Sequence, residues 1–266
     1  MLPRARTDAG AAGLAALTAD PGRAVLALDY DGTLAPIVRR PEDAVPAPGA
    51  VAALAACAAA FGTVAIVTGR PAEVVVGLSG AGDVEGLVVL GHYGEERWTA
   101  ATGLVAPPEH PGLARARALL AGRLPDGTRL EEKGLSVALH TRAAADPDAA
   151  LAEAEAVARA VAAETGLELN HGRYLVELRA PGARDKRAAV EALVAEREPA
   201  ALLFAGDDLV DRPAYEAVAA FRESGGASVG VFVDNPEAAE VRDLADVVVP
   251  DPAACVALLR DLAAAT

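Results

Sequence analysis

Short runs of consecutive apolar residues alternate along the chain with stretches of helical periodicity. Val25–Leu28 (VLAL), Val64–Val67 (VAIV), Leu87–Leu90 (LVVL), Leu202–Ala205, Val229–Val233 and Val247–Val249 read as strands buried on both faces. Between them, Val51–Phe61, Ala72–Leu78, Asp185–Glu196 and Arg212–Phe221 read as helices. Buried strands separated by helices predict an α/β fold: a doubly wound, mostly parallel sheet covered on both sides. In such a sheet, ligands bind beyond the C-terminal ends of the strands.

The middle of the chain follows another rule. Pro107, Pro108 and Pro111 interrupt the alternation, and a helix follows over Leu113–Gly122. Two close runs come next, Arg129–Glu132 and Leu135–His140, then a long helix over Pro147–Thr165. Leu167–Leu169 and Tyr174–Leu178 are two further runs, expected to be separated by a break at His171–Gly172. Adjacent strands joined by short turns predict an antiparallel sheet. The expected organisation is a parallel core made of residues 1–107 and 180–266, with a smaller α+β domain inserted at 108–179.

Composition narrows the function classes. The chain has 266 residues and a formal net charge of −14, with no basic run, so nucleic acid and anionic membrane are excluded as expected partners. Cys57 and Cys255 are too few and too far apart for a disulfide framework or a thiolate zinc site. The 26 uncharged residues from Ala44 to Gly69 are long enough to span a bilayer, but Pro46, Pro48, Gly49 and Gly62 break them into a helix and a strand. The opening MLPRARTDAG has no apolar signal core, so a cytoplasmic location is expected. Of the 24 basic side chains, only Lys133 and Lys186 are lysines. In a chain that uses arginine elsewhere, these mark positions where a compact ammonium is required, or are chance survivors.

Three polar clusters follow the apolar runs. Asp29-Tyr30-Asp31-Gly32-Thr33 ends the first run; residues two apart in an extended segment share a side, so Asp29 and Asp31 can reach one site. Gly32 permits a sharp turn and close approach to a ligand. Thr68-Gly69-Arg70 follows VAIV and can hold an anion or simply cap a helix. Gly206-Asp207-Asp208-Leu209-Val210-Asp211 follows ALLF; its crowded carboxylates call for a hard cation such as Mg²⁺, or form a solvated loop. Lys186 opens a helix at the same edge, where an ammonium would neutralise charge on a phosphoryl group. Strand ends converge on one crevice, and carboxylates with separate tasks beside a metal site point to attack of a carboxylate on phosphorus.

The order D-x-D-G-T, T-G-R, K and G-D-D-x-x-D resembles the four motifs of the haloacid dehalogenase-like hydrolases. GHYGEERW at 91–98, LEEKGLSVALHTR at 130–142, GRYLVELRAPGARDK at 172–186 and GDDLVDRPAY at 206–215 resemble the trehalose-6-phosphate phosphatase family within them. The resemblance runs from Ala24 to Arg260 and includes the inserted domain, which it identifies as a cap.

The resemblance implies a Mg²⁺-dependent phosphatase that hydrolyses a small-molecule substrate, trehalose 6-phosphate. Asp29 would attack phosphorus and Asp31 would serve as acid, then base. Thr68 and Lys186 would hold the transferring oxygens, with Gly69 and Arg70 beside them on the substrate. Mg²⁺ would sit on the Asp29 carboxylate, the Asp31 carbonyl and Asp207, with Asp208 or Asp211 assisting and Gly32 and Thr33 in support. Lys133, Arg142 and Glu177 in the cap match positions that grip sugar hydroxyls. Hinges near Pro107–Pro108 and Ala180–Gly182 would let the cap close. A monomer and a separate synthase are expected.

Four departures touch the sugar contacts rather than the chemistry: Tyr93 for a frequent His, Val210 for a frequent Thr, Arg212-Pro213 for acidic or small residues, and Thr141 for an aromatic. Sucrose phosphate or another sugar phosphate is the alternative substrate. A signalling receiver also sets an acid cluster and a lysine on a wound sheet, but its length is about half of this chain's. A non-catalytic partner of trehalose synthesis is disfavoured because every catalytic motif residue is present.

Overall fold

The computed structural model describes residues 2–172 and 174–266; Met1, and Arg173 within the 172–186 motif, lie outside the described residues. The chain forms two compact units. The first ends at Ala106 and resumes from Arg184 to Thr266, and the second is Pro107–Ala183.

In chain order the first unit begins with α1 (Asp8–Ala19), β1 (Ala24–Leu28), α2 (Ala50–Ala60), β2 (Thr63–Val67) and α3 (Ala72–Ser79). It continues through β3 (Leu87–Gly91), β4 (Glu96–Thr99) and β5 (Gly103–Val105). The second unit holds α4 (Pro111–Ala121), β6 (Arg129–Glu132), β7 (Ser136–His140), α5 (Pro147–Thr165), β8 (Glu168–Gly172) and β9 (Leu175–Arg179). The first unit then resumes with α6 (Lys186–Arg197), β10 (Ala201–Gly206), α7 (Arg212–Glu223), β11 (Ala227–Val233), the short α8 (Ala239–Arg242), β12 (Val247–Val249) and α9 (Pro252–Ala263).

Among the described residues the first unit's sheet runs β12-β11-β10-β1-β2-β3-β4-β5. It is parallel from β12 to β3, and β4 and β5 extend it as an antiparallel edge. Alternation within each buried strand splits the core into two layers. Leu26, Leu28, Val64, Ile66 and Val231 pack with Leu14, Leu54 and Leu259 from α1, α2 and α9. Val25, Ala27, Val67, Phe204 and Phe232 pack with Val190, Leu193 and Val218 from α6 and α7. Cys57 and Cys255 are both buried and free, and the Cys57 thiol donates to the Leu259 carbonyl at 3.3 Å. Burial pushes both thiols up to about 12, which keeps them protonated and inert.

The second unit's sheet has the order β6-β7-β9-β8, antiparallel throughout. Leu113, Leu120, Ala158 and Val161 of α4 and α5 pack on Val137, Leu139, Val176 and Leu178. Asp146 caps α5 by accepting from the Ala149 N–H at 3.0 Å, and Gly166 ends it in the left-handed region at φ 71°. The break expected at His171–Gly172 is instead strand: Gly172 pairs with Leu175 and Asn170 with Glu177, so β8 continues to the turn. The unit also runs to Ala183 rather than 179. Among the described residues no helix is long and apolar enough to cross a membrane.

Candidate active site

Asp29 leaves the C-terminal end of β1, its N–H donating to the Ala205 carbonyl of β10 at 2.8 Å. The chain then reverses: the Tyr30 carbonyl accepts from Leu34 and Ala35, both at 2.9 Å, while the buried Tyr30 hydroxyl donates to the Ala44 carbonyl at 2.7 Å. Gly32 lies at φ +78°, and a Cβ there would overlap the Asp207 carboxylate. Glycine is therefore required twice, for its backbone angle and for the space.

The buried Lys186 ammonium joins two strand ends. Its Nζ is 2.5 Å from Asp29 Oδ1 and 2.5 Å from Asp211 Oδ1. Asp185 caps α6 by accepting from Ala188 at 2.8 Å, which puts Lys186 on the first helical turn. The 3₁₀ turn Leu209–Asp211 folds Asp211 back beneath β10, where Oδ2 accepts from the N–H groups of Asp207 and Asp208, both at 2.9 Å. Asp207 receives bonds from Asn235 Nδ2 at 3.2 Å and Thr33 Oγ1 at 3.5 Å.

Asp29, Asp207 and Asp211 each offer one oxygen, and these oxygens lie within 4.8 Å of one another. Burial pushes the Asp29 carboxyl well above the usual aspartate range, with the Lys186 charge opposing and Asp211 and Asp207 adding to it. Burial, reinforced by Asp211, pushes Asp207 up to about 8. Burial also works against the Lys186 ammonium, but Asp211 and Asp29 outweigh it and raise its pKa. Three buried carboxylates beside one ammonium form an all-oxygen cradle, a donor set that suits a hard divalent cation.

Of the two carboxylates expected to assist the metal, Asp208 stands outside this cluster. The Asp208 carboxylate accepts from the Leu209 N–H at 2.6 Å and forms a capping box with Asp211, so Asp211 takes the place in the cluster. The Asp31 carboxylate is gripped by Arg70, Nε to Oδ2 at 2.6 Å and Nη2 to Oδ1 at 2.7 Å. Arg70 also donates to the Pro41 carbonyl at 2.9 Å. Thr68 is buried, and its Oγ1 accepts from the Arg70 N–H at 3.1 Å. The Tyr93 ring lies against Gly69, where a Cβ would fall 2.6 Å from the phenol oxygen.

In the second unit, Glu177 is buried and accepts from Lys133 Nζ at 3.3 Å, Ser136 Oγ at 2.6 Å and Asn170 Nδ2 at 3.3 Å. Burial raises the Glu177 pKa, but Lys133 and the hydrogen bonds outweigh it and leave it below the usual range. The Arg142 guanidinium sits 5.6 Å from the centre of the Tyr174 ring. Both lysines of the chain thus pair with a buried carboxylate. Sequence reasoning passed over Asn235, Ser136 and Asn170. Asn235 follows the β11 run at the same sheet edge, a position that could have marked it.

The chain is 36% identical over 208 residues to the trehalose-phosphate phosphatase of Mycobacterium marinum (strain ATCC BAA-535 / M), covering 74% of this chain and 52% of that protein. It is 35% identical over 243 residues to an uncharacterized glycosyl hydrolase of Mycobacterium tuberculosis (strain CDC 1551 / Oshkosh), covering 84% of this chain but 17% of the other. The chain therefore spans about half, or much less, of these relatives' own lengths. The C-terminal domain of trehalose-6-phosphate phosphatase from C. albicans superposes with a TM-score of 0.75 at 19% identity, over 99% of this chain and 98% of that one. The shared fold is the haloacid dehalogenase-like α/β core with a cap domain. A model described as trehalose-phosphatase matches residues 27–245, and with the M. marinum relative it shows that the chain belongs to the trehalose-phosphatase family.

Proposed function

We propose that this chain is a phosphomonoesterase that hydrolyses trehalose 6-phosphate to trehalose and phosphate through an aspartyl-phosphate on Asp29. The observation that carries the reading is the contact set of Lys186 Nζ, 2.5 Å from both Asp29 and Asp211, with Asp207 in the same cluster. The lysine keeps one oxygen of Asp29 oriented, and a carboxylate nucleophile needs such fixed geometry more than it needs basicity.

In the first step an Asp29 oxygen forms a bond to phosphorus as the bond from phosphorus to the sugar oxygen breaks. Asp31 gives its proton to that departing oxygen. In the second step water attacks phosphorus, Asp31 takes a proton from it, and Asp29 is released with orthophosphate. Thr68 and Lys186 hold the equatorial oxygens, where their donors stabilise the negative charge of the transition state. Mg²⁺, held by Asp29, the Asp31 carbonyl, Asp207 and Asp211, would neutralise charge on the phosphoryl group. Lys133, Arg142 and Glu177 bind sugar hydroxyls, supported by the pairing of Lys133 with the buried Glu177 and by its Ser136 and Asn170 partners.

A panel of sugar phosphates, with released phosphate measured with and without EDTA, tests the reading. Trehalose 6-phosphate should be preferred, EDTA should abolish turnover, and Asp29→Asn should bind the ester without turning it over. Preference for sucrose phosphate or another sugar phosphate would overturn the substrate. Near-normal turnover by Asp29→Asn would overturn the nucleophile.

A further inference from the structure

The β3–β4 hairpin loop, residues 92–95, is the part of the GHYGEERW motif that the chemistry above leaves unused. It lies against the Thr68-Gly69-Arg70 loop and makes two backbone bonds to it, and a side-chain bond beside them joins β4 to the start of α3. The Tyr93 N–H donates to the Thr68 carbonyl at 2.9 Å, and the His92 N–H donates to the Arg70 carbonyl at 3.1 Å. The side-chain bond comes from the first residue of β4: Glu96 Oε2 accepts from the Ala72 N–H at 2.6 Å.

This arrangement is costly to build. His92 and Tyr93 are consecutive non-glycine residues at φ 46° and 57°, in the left-handed region. Such residues cost of order 1–3 kcal/mol each and persist where the surroundings over-determine them. Glu96 is 6% exposed, with the His92 imidazole 3.8 Å from its other oxygen. A buried carboxylate is expensive unless its bonds are made, and the first turn of a helix is a favourable place for its charge. At Gly91 a Cβ would overlap the Ala72 nitrogen, so the end of β3 is pressed directly onto this amide.

We infer that Glu96 is a positioning residue for leaving-group protonation: by holding the Ala72 N–H it fixes where α3 begins, and so aims the Arg70 fork at Asp31. Ala72 is the first residue of α3 and stands two positions after Arg70, whose guanidinium makes the two-point contact to Asp31. The same loop reaches the approach to Lys186, since the Arg184 N–H donates to Glu95 Oε1 at 3.0 Å. The inference rests on the phosphatase reading and on Asp31 as its acid.

Leaving groups separate positioning from stability. A sugar alkoxide must be protonated as it departs, whereas p-nitrophenolate leaves with little help. Glu96→Ala and Glu96→Asp, the latter with its acceptor drawn back by one methylene, should each lower kcat on trehalose 6-phosphate by about tenfold or more, against a loss of about threefold or less on p-nitrophenyl phosphate. Glu96→Gln keeps an acceptor for the Ala72 N–H and should restore the wild-type ratio of the two rates. The Mg²⁺ concentration for half-activation should not move in any of the three. If the panel finds another preferred sugar phosphate, that ester replaces trehalose 6-phosphate. Equal losses on both esters, no loss at all, or a ratio left disturbed in Glu96→Gln would overturn the inference while the phosphatase reading stands. A wild type that hydrolyses neither ester would overturn the phosphatase reading, and this inference with it.

Discussion

Arg70 holds Asp31 by two parallel contacts, Nε to Oδ2 at 2.6 Å and Nη2 to Oδ1 at 2.7 Å. The pair fixes the plane of a carboxylate that is partly open to solvent, with its side chain 34% exposed. A single ammonium cannot reproduce a planar fork. Arg70→Lys should keep the charge yet lower kcat on the preferred sugar phosphate by about tenfold or more, since small misplacements of a reacting group are expensive. Initial rates with Mg²⁺ saturating check this, and wild-type kcat would refute it.

Lys186 is the only cation the cluster of Asp29, Asp207 and Asp211 touches among the described residues. Lys186→Met leaves buried carboxylates without their partner. Breaking a buried pair in this way costs about 3–5 kcal/mol. Urea unfolding should show that loss in the absence of metal, with part of it recovered as Mg²⁺ binds the folded state alone. Turnover should be abolished with or without excess Mg²⁺.

Gly32 combines φ +78° with a position at which a Cβ would overlap the Asp207 carboxylate. Gly32→Ala should therefore do two things. The backbone strain should cost of order 1–3 kcal/mol in urea unfolding. Displacement of Asp207 should weaken Mg²⁺ binding, read by calorimetry, by roughly tenfold or more. Unchanged Mg²⁺ affinity would show that Asp207 is not a ligand.

In the second unit, the His140 side chain bonds Glu131 Oε2 at 2.5 Å. That bond, opposed by burial and helped by Lys133, lowers the Glu131 pKa from 4.5 to about 2. A carboxyl with a depressed folded pKa stabilises the fold above its unfolded pKa, and this stabilisation fades as pH falls through the folded value. Glu131→Gln should then lower stability by about 1–3 kcal/mol at pH 6. The gap to wild type should narrow from about pH 4.5 downwards and close near pH 2. Denaturant unfolding across pH 2–7 measures it; a gap that is constant with pH would mean that the Glu131 charge does not matter.

The parallel strands were legible because burial on both faces writes itself into sequence as unbroken apolar runs such as VLAL, VAIV and LVVL. Edge strands carry no such mark. β4 is Glu-Arg-Trp-Thr and β5 is three residues, so neither stood out, and α1 and α9 were also missed. Part of the site was equally legible. Asp29, Thr68 and Asp207 each follow a buried run, and parallel strands bring such positions to one edge by topology alone.

What the amino-acid sequence determined by itself, then, was the wound sheet, the inserted second unit and the sheet edge where the polar motifs gather, because backbone hydrogen bonding and burial act on local pattern. Only the tertiary structure decided what each acid touches there. Asp211 rather than Asp208 joins the cluster because a 3₁₀ turn engages Asp208 with its own backbone and lays Asp211 under two N–H groups and Lys186. Asp31 faces Arg70, and Asp207 receives Asn235 and Thr33, through contacts between loops far apart in sequence. Such partnerships depend on rotamers and on distances set by the packing of whole layers, which no spacing of residues along one strand encodes.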